Sequence, residues 1–199
     1  MPAAAITKPN LQKLDLYREH AVEYVARRAP AIVNIARCQY LAIDGAGIPS
    51  GPEFQACVAA LYQVAFATKM TGKSAGTDYG VCKLEGLWPD SRNWTLLIRT
   101  PDFIAKPQLD AAIAALIRKD KSLPVEGVRL LPLNEGWCVQ ALHVGNYSDE
   151  PATLEVMREC AAASGMEFYG TLHEIYLSDP RRVASDKLRT ILRQPVRDR

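Results

Sequence analysis

Apolar positions along the chain recur with two periods, near two and near 3.6 residues. The switches between them divide the sequence into elements. Residues 32–43 (IVNIARCQYLAI) are dense in β-branched and other apolar residues and predict a strand. A loop at Asp44-Gly45-Ala46-Gly47-Ile48-Pro49 follows, then a helix start at Ser50-Gly51-Pro52-Glu53 with Ser50 as cap. That helix sets Phe54, Cys57, Val58, Leu61, Tyr62 and Ala65 on one face, with Phe66 at its edge. Lys69 to Thr77 reads as a polar turn, and residues 79–88 and 93–100 as strands joined by Pro89-Asp90-Ser91-Arg92. Pro107 opens a second helix with Leu109, Ile113, Leu116 and Ile117 inward; Arg118, Lys119 and Lys121 near its end suit the negative end of the dipole, and Pro124 stops it. Residues 127–133 and 136–145 predict a strand pair around Asn134-Glu135-Gly136. A third helix starts at Ser148-Asp149-Glu150-Pro151, turns Leu154, Met157, Cys160 and Ala161 inward, and ends before Gly165. Strands at 167–177 and 188–194 close the chain around a short turn at Ser185-Asp186-Lys187. Ahead of all this, residues 1–30 form an N-terminal extension. Within it, 1–10 read as disordered and 11–28 as a short amphipathic helix carrying Leu14, Tyr17, Val22 and Val25, ended by Pro30.

The element order strand, glycine-containing loop, helix, strand, strand occurs twice, over about 31–101 and 127–199, inside one domain spanning 31–199. Tyr40-Leu41-Ala42-Ile43-Asp44-Gly45 aligns with Gln140-Ala141-Leu142-His143-Val144-Gly145, and Lys83–Trp88 with Leu172–Leu177. The fold class is α+β, built from duplicated β-α-β-β modules, each covering a sheet face with its helix and meeting at a cleft. On this alignment Glu85 and Glu174 become equivalent carboxylates in mid-strand among Leu, Ile, Trp and Tyr. An unpaired buried charge is costly, so such residues are exposed, paired, or kept for chemistry.

Composition narrows the function. With 48% apolar and 23% charged residues the chain is an ordinary soluble one, and a formal net charge of +2 gives no broad basic bias toward nucleic acid. The basic run at the end (Arg181, Arg182, Lys187, Arg189, Arg193, Arg197, Arg199) reads as a solvated terminal face, with a phosphate-binding face as the alternative. Cys38, Cys57, Cys82, Cys138 and Cys160 are odd in number and widely spaced, which fits reduced core cysteines rather than a disulfide scaffold or a zinc module. No metal-ligand spacing and no cofactor motif is present: the Gly45/Gly47 loop and Gly72-Lys73-Ser74 lack the glycines and strand order that phosphate binding needs. No apolar run reaches membrane-spanning length and no signal pattern opens the chain, so the expected location is cytoplasmic, as a monomer or homodimer.

The motifs Tyr40-Leu41-Ala42-Ile43-Asp44-Gly45-Ala46-Gly47, Pro52-Glu53-Phe54-Gln55, Leu84-Glu85-Gly86-Leu87-Trp88, Cys138-Val139-Gln140, Gly145-Asn146-Tyr147-Ser148-Asp149-Glu150-Pro151 and His173-Glu174-Ile175-Tyr176-Leu177-Ser178-Asp179-Pro180-Arg181-Arg182 resemble the GyrI-like small-molecule-binding proteins. The resemblance runs from about Leu11 to the C-terminus. It implies two fused β/α modules around a central cleft, with a strand-borne glutamate facing lipophilic, often cationic ligands; Glu174 matches that position. Some relatives are the sensing halves of transcription regulators, but roughly thirty N-terminal residues cannot hold a helix-turn-helix domain and a linker. The stand-alone branch with the Leu-Glu-Gly-Leu-Trp and His-Glu-Ile-Tyr motifs implies hydrolysis of cyclopropane-bearing, DNA-alkylating natural products. Pro89 departs from that branch, which often has a second aromatic directly after the tryptophan.

The chemistry expected of these residues is general-base attack of water on a strained ring. Glu174 is the first candidate base and Glu85 the second, and paired carboxylates can divide acid and base roles. Tyr147, beside a helix start, is placed to donate to a developing oxyanion. Trp88 and Tyr176 offer flat faces to a planar aromatic ligand, and Tyr62 and His143 complete the ligand-contact set. His143 and His173 read otherwise as packing histidines. Strand alternation puts Glu174 and Tyr176 on one face, whereas Glu85 shares a face with Trp88 only if Gly86 forms a bulge. The alternatives are a non-catalytic binder or sensor of lipophilic cations using the same cleft, and a protein-interaction module, for which no exposed patch stands out in the sequence.

Overall fold

The computed structural model describes residues 13–49, 51–74, 76–119 and 122–199. The proposed disorder of residues 1–10, the Ser50 cap and Lys121 lie outside them. Among the described residues one antiparallel sheet runs through the molecule, built from β1 (Ala31–Ile35), β2 (Cys38–Ala46), β3 (Glu85–Trp88), β4 (Asn93–Arg99), β5 (Arg129–Leu133), β6 (Gly136–Val144), β8 (Leu172–Tyr176) and β9 (Arg189–Asp198), with the short β7 (Met166–Phe168) paired to the end of β9. The order across the sheet is β1-β6-β9-β8-β3-β4-β2-β5.

That order is a pseudo-twofold about the β3–β8 pair, with one exchange. β1 does not pair with its own module but with β6, and β5 pairs with β2. The expected hairpin of 127–133 with 136–145 is therefore absent: both strands form, but they lie at opposite sides of the sheet. Likewise the single strand expected at 32–43 is broken at Ala36-Arg37, where the chain leaves one module for the other.

Pairing registers, taken with the face on which each side chain lies, fit one set of equivalences. Tyr40 falls on Cys138, Leu97 on Arg193, Gly86 on Glu174 and Trp88 on Tyr176, which makes Glu85 the counterpart of His173. The alignment of Lys83–Trp88 with Leu172–Leu177 is thus off by one residue. In a sheet that slip moves every side chain to the other face.

Three helices cover one face. α3 (Pro52–Ser74) packs its Cys57, Ala60, Leu61, Val64 and Ala65 on Leu41, Ile43, Trp94, Leu96 and Ile98. It continues through the stretch expected to be a turn, so Gly72-Lys73-Ser74 is its last turn. α4 (Lys106–Lys119) lies beside α3, and α5 (Glu150–Ala163) sets Met157 and Ala161 on Val139, Ala141 and Leu192. Gly165 follows with φ of 74°, a left-handed turn that glycine adopts without a Cβ penalty. No helix among the described residues is long and apolar enough to cross a membrane.

The opposite face is covered by the N-terminal segment. It holds two four-residue helices, α1 (Leu16–Glu19, capped by the Asp15 side chain) and α2 (Ala21–Tyr24), rather than one. Tyr24 points inward on this face and Leu16 into the α3-side core, while Val22 and Val25 are exposed, so the stripe read from sequence holds only in part. Tyr24 joins Ile175 and Ile191 in an apolar cluster on this face.

Candidate functional site

The central pair β3–β8 lies between the regions covered by α3 and α5. Its register is continuous, with Glu85 opposite Ile175, Gly86 opposite Glu174 and Trp88 opposite Leu172. Gly86 makes no bulge. Alternation therefore sends Trp88, Glu174 and Tyr176 to the helix-covered face and Glu85 and His173 to the other.

On the helix side the polar atoms form a chain. Trp88 Nε1 donates to the Tyr176 hydroxyl (3.0 Å), which donates to Glu174 Oε2 (2.8 Å). Gly86 makes room for this: a Cβ there would stand 3.0 Å from Trp88 Nε1 and 3.1 Å from the Tyr176 oxygen. Tyr147, on the turn before α5, packs edge-on against Tyr176 with ring centroids 6.0 Å apart and remains 40% exposed, forming the rim. Phe54 of α3 stacks on Trp88 (6.3 Å, 19° between planes) and meets Trp94 edge-on. Pro89 is exposed in the β3–β4 turn, so the second aromatic beside Trp88 comes from α3 and not from the neighbouring position in sequence.

Sequence reasoning missed Glu150, the first residue of α5. It is only 7% exposed, and its Oε1 has no hydrogen-bond partner. Burial, with the adjacent Glu174 carboxyl, pushes its pKa up to about 9. Burial also raises Glu174, against the hydrogen bond from Tyr176 and the contact with Glu150, which favour its ionised form. Two carboxyls this close do not both ionise near neutral pH. Glu150 is the member that keeps its proton there. A signal was available: Glu150 precedes Leu154 and Met157 at helical spacing, so it lies on the inward stripe of α5.

Glu85, the other carboxylate singled out, is fully buried on the opposite face. Tyr24 donates to its Oε1 (3.0 Å), and its Oε2 lies 2.9 Å from His173 Nε2. His173 Nδ1 lies 3.1 Å from Glu135, and Glu135 also pairs with Arg193 (3.0 Å). Arg193 donates to Gln140 and to the Glu23 carbonyl, and Arg99 pairs with the Glu23 carboxylate. Arg193 is 1% exposed, so the basic C-terminal run is not wholly a solvated face; Arg181 and Arg197 do lie outside, paired with Asp179 and Glu167. His173 and Arg193 hold Glu135 at about 2, and the carboxylates hold His173 up to about 9 against its complete burial.

The remaining candidates stand apart from Glu174. His143 uses both nitrogens. Nε2 faces the Asn146 carbonyl (2.9 Å) and so donates, leaving Nδ1 to accept from the Thr153 hydroxyl (2.8 Å). It fastens the turn that carries Tyr147 and lines a separate surface depression with Arg28 and Val156. Tyr62 packs at the edge of the α3 core with its hydroxyl at the Leu84 backbone. The five cysteines are free, and Cys160 alone is not fully buried.

An antiparallel sheet covered on one face by helices of two modules, with a buried carboxyl pair beside aromatic rings on its central strands, fits a small-molecule-binding domain of the duplicated β/α type. Residues 29–197 match the GyrI-like small molecule binding domain family, and the chain belongs to it. Among solved structures, an uncharacterized conserved protein from Listeria innocua is 33% identical, with 93% of this chain and all of that one covered and a TM-score of 0.87. A hydrolase from the same organism gives the same identity, coverage and TM-score. The C-terminal domain of EcmrR, 12% identical over 85% of this chain and 98% of its own at a TM-score of 0.58, shares the fold. No curated protein matches the chain.

Proposed function

We propose that the chain is a hydrolase that adds water to a strained, lipophilic aromatic substrate, a cyclopropane-bearing DNA alkylator, and so detoxifies it. The observation that carries this reading is the Glu174–Glu150 pair, two buried carboxyls in contact beside Trp88, Tyr176 and Tyr147. The likeness to a Listeria innocua hydrolase across nearly the whole chain supports it.

In this reading a planar substrate lies against Trp88 and Phe54. Glu174 takes a proton from water while the water oxygen attacks the cyclopropane methylene. The ring C–C bond breaks, and its electron pair passes through the conjugated ring to the carbonyl oxygen, which becomes a phenolate. Glu150, protonated at the outset, supplies the proton that neutralises that oxygen, with Tyr147 donating a hydrogen bond. The proton gained by Glu174 returns to Glu150 across their contact, so the pair is regenerated and one water has been added. The substrate passes through no metal or cofactor in this scheme.

The test is decay of the ultraviolet absorbance of a spirocyclopropyl-dienone with purified protein, wild type beside Glu174→Gln. Catalytic decay lost in the variant supports the hydrolase. Saturable binding without turnover overturns it in favour of the second reading, a binder of lipophilic cations. That reading draws on the negative charge of the singly ionised pair under aromatic faces, and it requires Glu174→Gln to weaken binding.

A further inference from the structure

We infer that His173 is a positioning residue for the cleft: buried behind the sheet, it is a fixed cation that makes Glu174 the ionised member of the Glu174–Glu150 pair. The inference rests on the reading of Glu174 as the base.

The geometry comes first. His173 and Glu174 are consecutive on β8, so their side chains leave opposite faces of the same strand. On its own face His173 is fully buried between two carboxylates, at 2.9 Å from Glu85 and 3.1 Å from Glu135. Nδ1 hydrogen-bonds Glu135, while Nε2 faces Glu85 Oε2 at ion-pair distance without hydrogen-bond geometry, so a carboxylate stands on each side of the ring and both favour its protonated, cationic form. The groups around it close the account. Glu85 comes from β3, Glu135 from the β5–β6 connection and Arg193 from β9; the Tyr40 ring of β2 stands edge-on at 6.1 Å. Beyond them, Tyr24 bonds Glu85, and Arg99 pairs with Glu23. Three cations (His173, Arg99, Arg193) alternate with three carboxylates (Glu23, Glu85, Glu135), and at the outer end His20 also approaches Glu23 at 3.4 Å. Charges of alternating sign offset one another at a distance, and His173, the neighbour of Glu174 on β8, is the member that acts on its carboxyl.

The groups facing Glu174 on the cleft side are Glu150 of α5, Tyr176, Trp88 and, at the rim, Tyr147; none of these carries positive charge. A positive charge one residue away lowers the cost of ionising Glu174, and is among the influences that hold its carboxyl down against burial. Glu150, on a helix across the gap, gains less from it. The asymmetry between two otherwise similar carboxyls thus arises behind the sheet, with the N-terminal segment closing the network through Glu23 and Tyr24.

The test reads titration rather than turnover, so it fails separately from the hydrolase reading. Carboxyl carbons of Glu174 and Glu150 are followed by NMR against pH in the full chain, in wild type, His173→Gln and Glu85→Gln. Removing the cation should move the Glu174 titration up by about one pH unit, and removing a carboxylate from the same network should move it down by a smaller amount. A merely structural role moves neither, or moves both in one direction, and either result overturns the proposal. If His173→Gln does not fold, the doubly substituted Glu85→Gln, His173→Gln chain removes one charge of each sign and leaves the net charge of the network unchanged. It must still show the upward shift, and an unshifted titration there overturns the proposal as well. As a second readout, the affinity for tetraphenylphosphonium should fall in His173→Gln at a pH within its shifted Glu174 titration, because fewer molecules present an ionised Glu174; an unchanged affinity counts against the inference.

Discussion

Glu85 and Glu174 sit on neighbouring strands at the centre of one sheet, both under 10% exposed, and differ in what surrounds them. Glu85 faces a tyrosine hydroxyl and an imidazolium inside a network of alternating charges. Glu174 faces a phenol and a second carboxyl. Burial alone therefore says little about what a carboxylate does. A charge whose partners are all supplied by the fold is a structural element, whereas one left with a proton to exchange is available to a ligand.

The comparison can be broken from either side. The largest effect belongs to the paired side. Arg193→Met leaves Glu135 with one cation instead of two, and the expected loss is about 3–5 kcal/mol. At about 2–4 °C per kcal/mol for a chain of this size, thermal denaturation should show a fall in Tm of roughly 10 °C. A variant within 2 °C of wild type would mean that the network is not what holds the two halves of the sheet. On the unpaired side Glu174→Gln should fold normally and lose about 10²–10⁴-fold in kcat, the range of a positioned base. Circular dichroism and single-turnover kinetics together separate those outcomes.

A pH experiment sharpens the contrast further. Glu150 holds its proton up to about 9 in the fold, against about 4.5 when unfolded. Between those values the native state binds the extra proton, so this group's contribution to stability is full below about pH 4.5 and is lost as pH rises through 9. Glu150→Gln cannot ionise. The fall in Tm between pH 6 and 9 should flatten in this variant, leaving the part due to His173, which is also raised to about 9. An unaltered slope would place the raised titration elsewhere. The smallest expected effect is at the aromatic wall: Phe54→Ala should raise the Kd or KM for a planar aromatic ligand about three- to tenfold with little change in kcat.

How far the sequence carried this comparison follows from the range of each signal. Glu174 and Tyr176 were legible as partners because strand alternation is local, and the inward stripes of α3 and α5 followed from helical spacing. The separation of Glu85 from Trp88 was also open to reading, since it needed only the absence of a bulge at Gly86. The equivalence of Glu85 with Glu174 failed by one residue, because weak identity between modules fixes element order but not register. The Glu174–Glu150 contact joins a strand to a helix start, and no periodicity reports a contact between elements. Arg193 belonged by composition to an exposed basic tail, and only its pairing with Glu135 and Gln140 takes it into the core.

The exchanged edge strands bear on how the chain is made. Ala31 of β1 pairs with Gln140 of β6, so the first module cannot complete its partner until more than half of the chain has left the ribosome. Contacts so distant in sequence close slowly, and until then β1 and β2 expose unpaired edges. Neither module expressed alone would own a full set of strands, while two fragments divided in the α4–β5 connection, mixed, would each supply what the other lacks. The same reciprocity that centres the cleft makes folding an event of the whole chain.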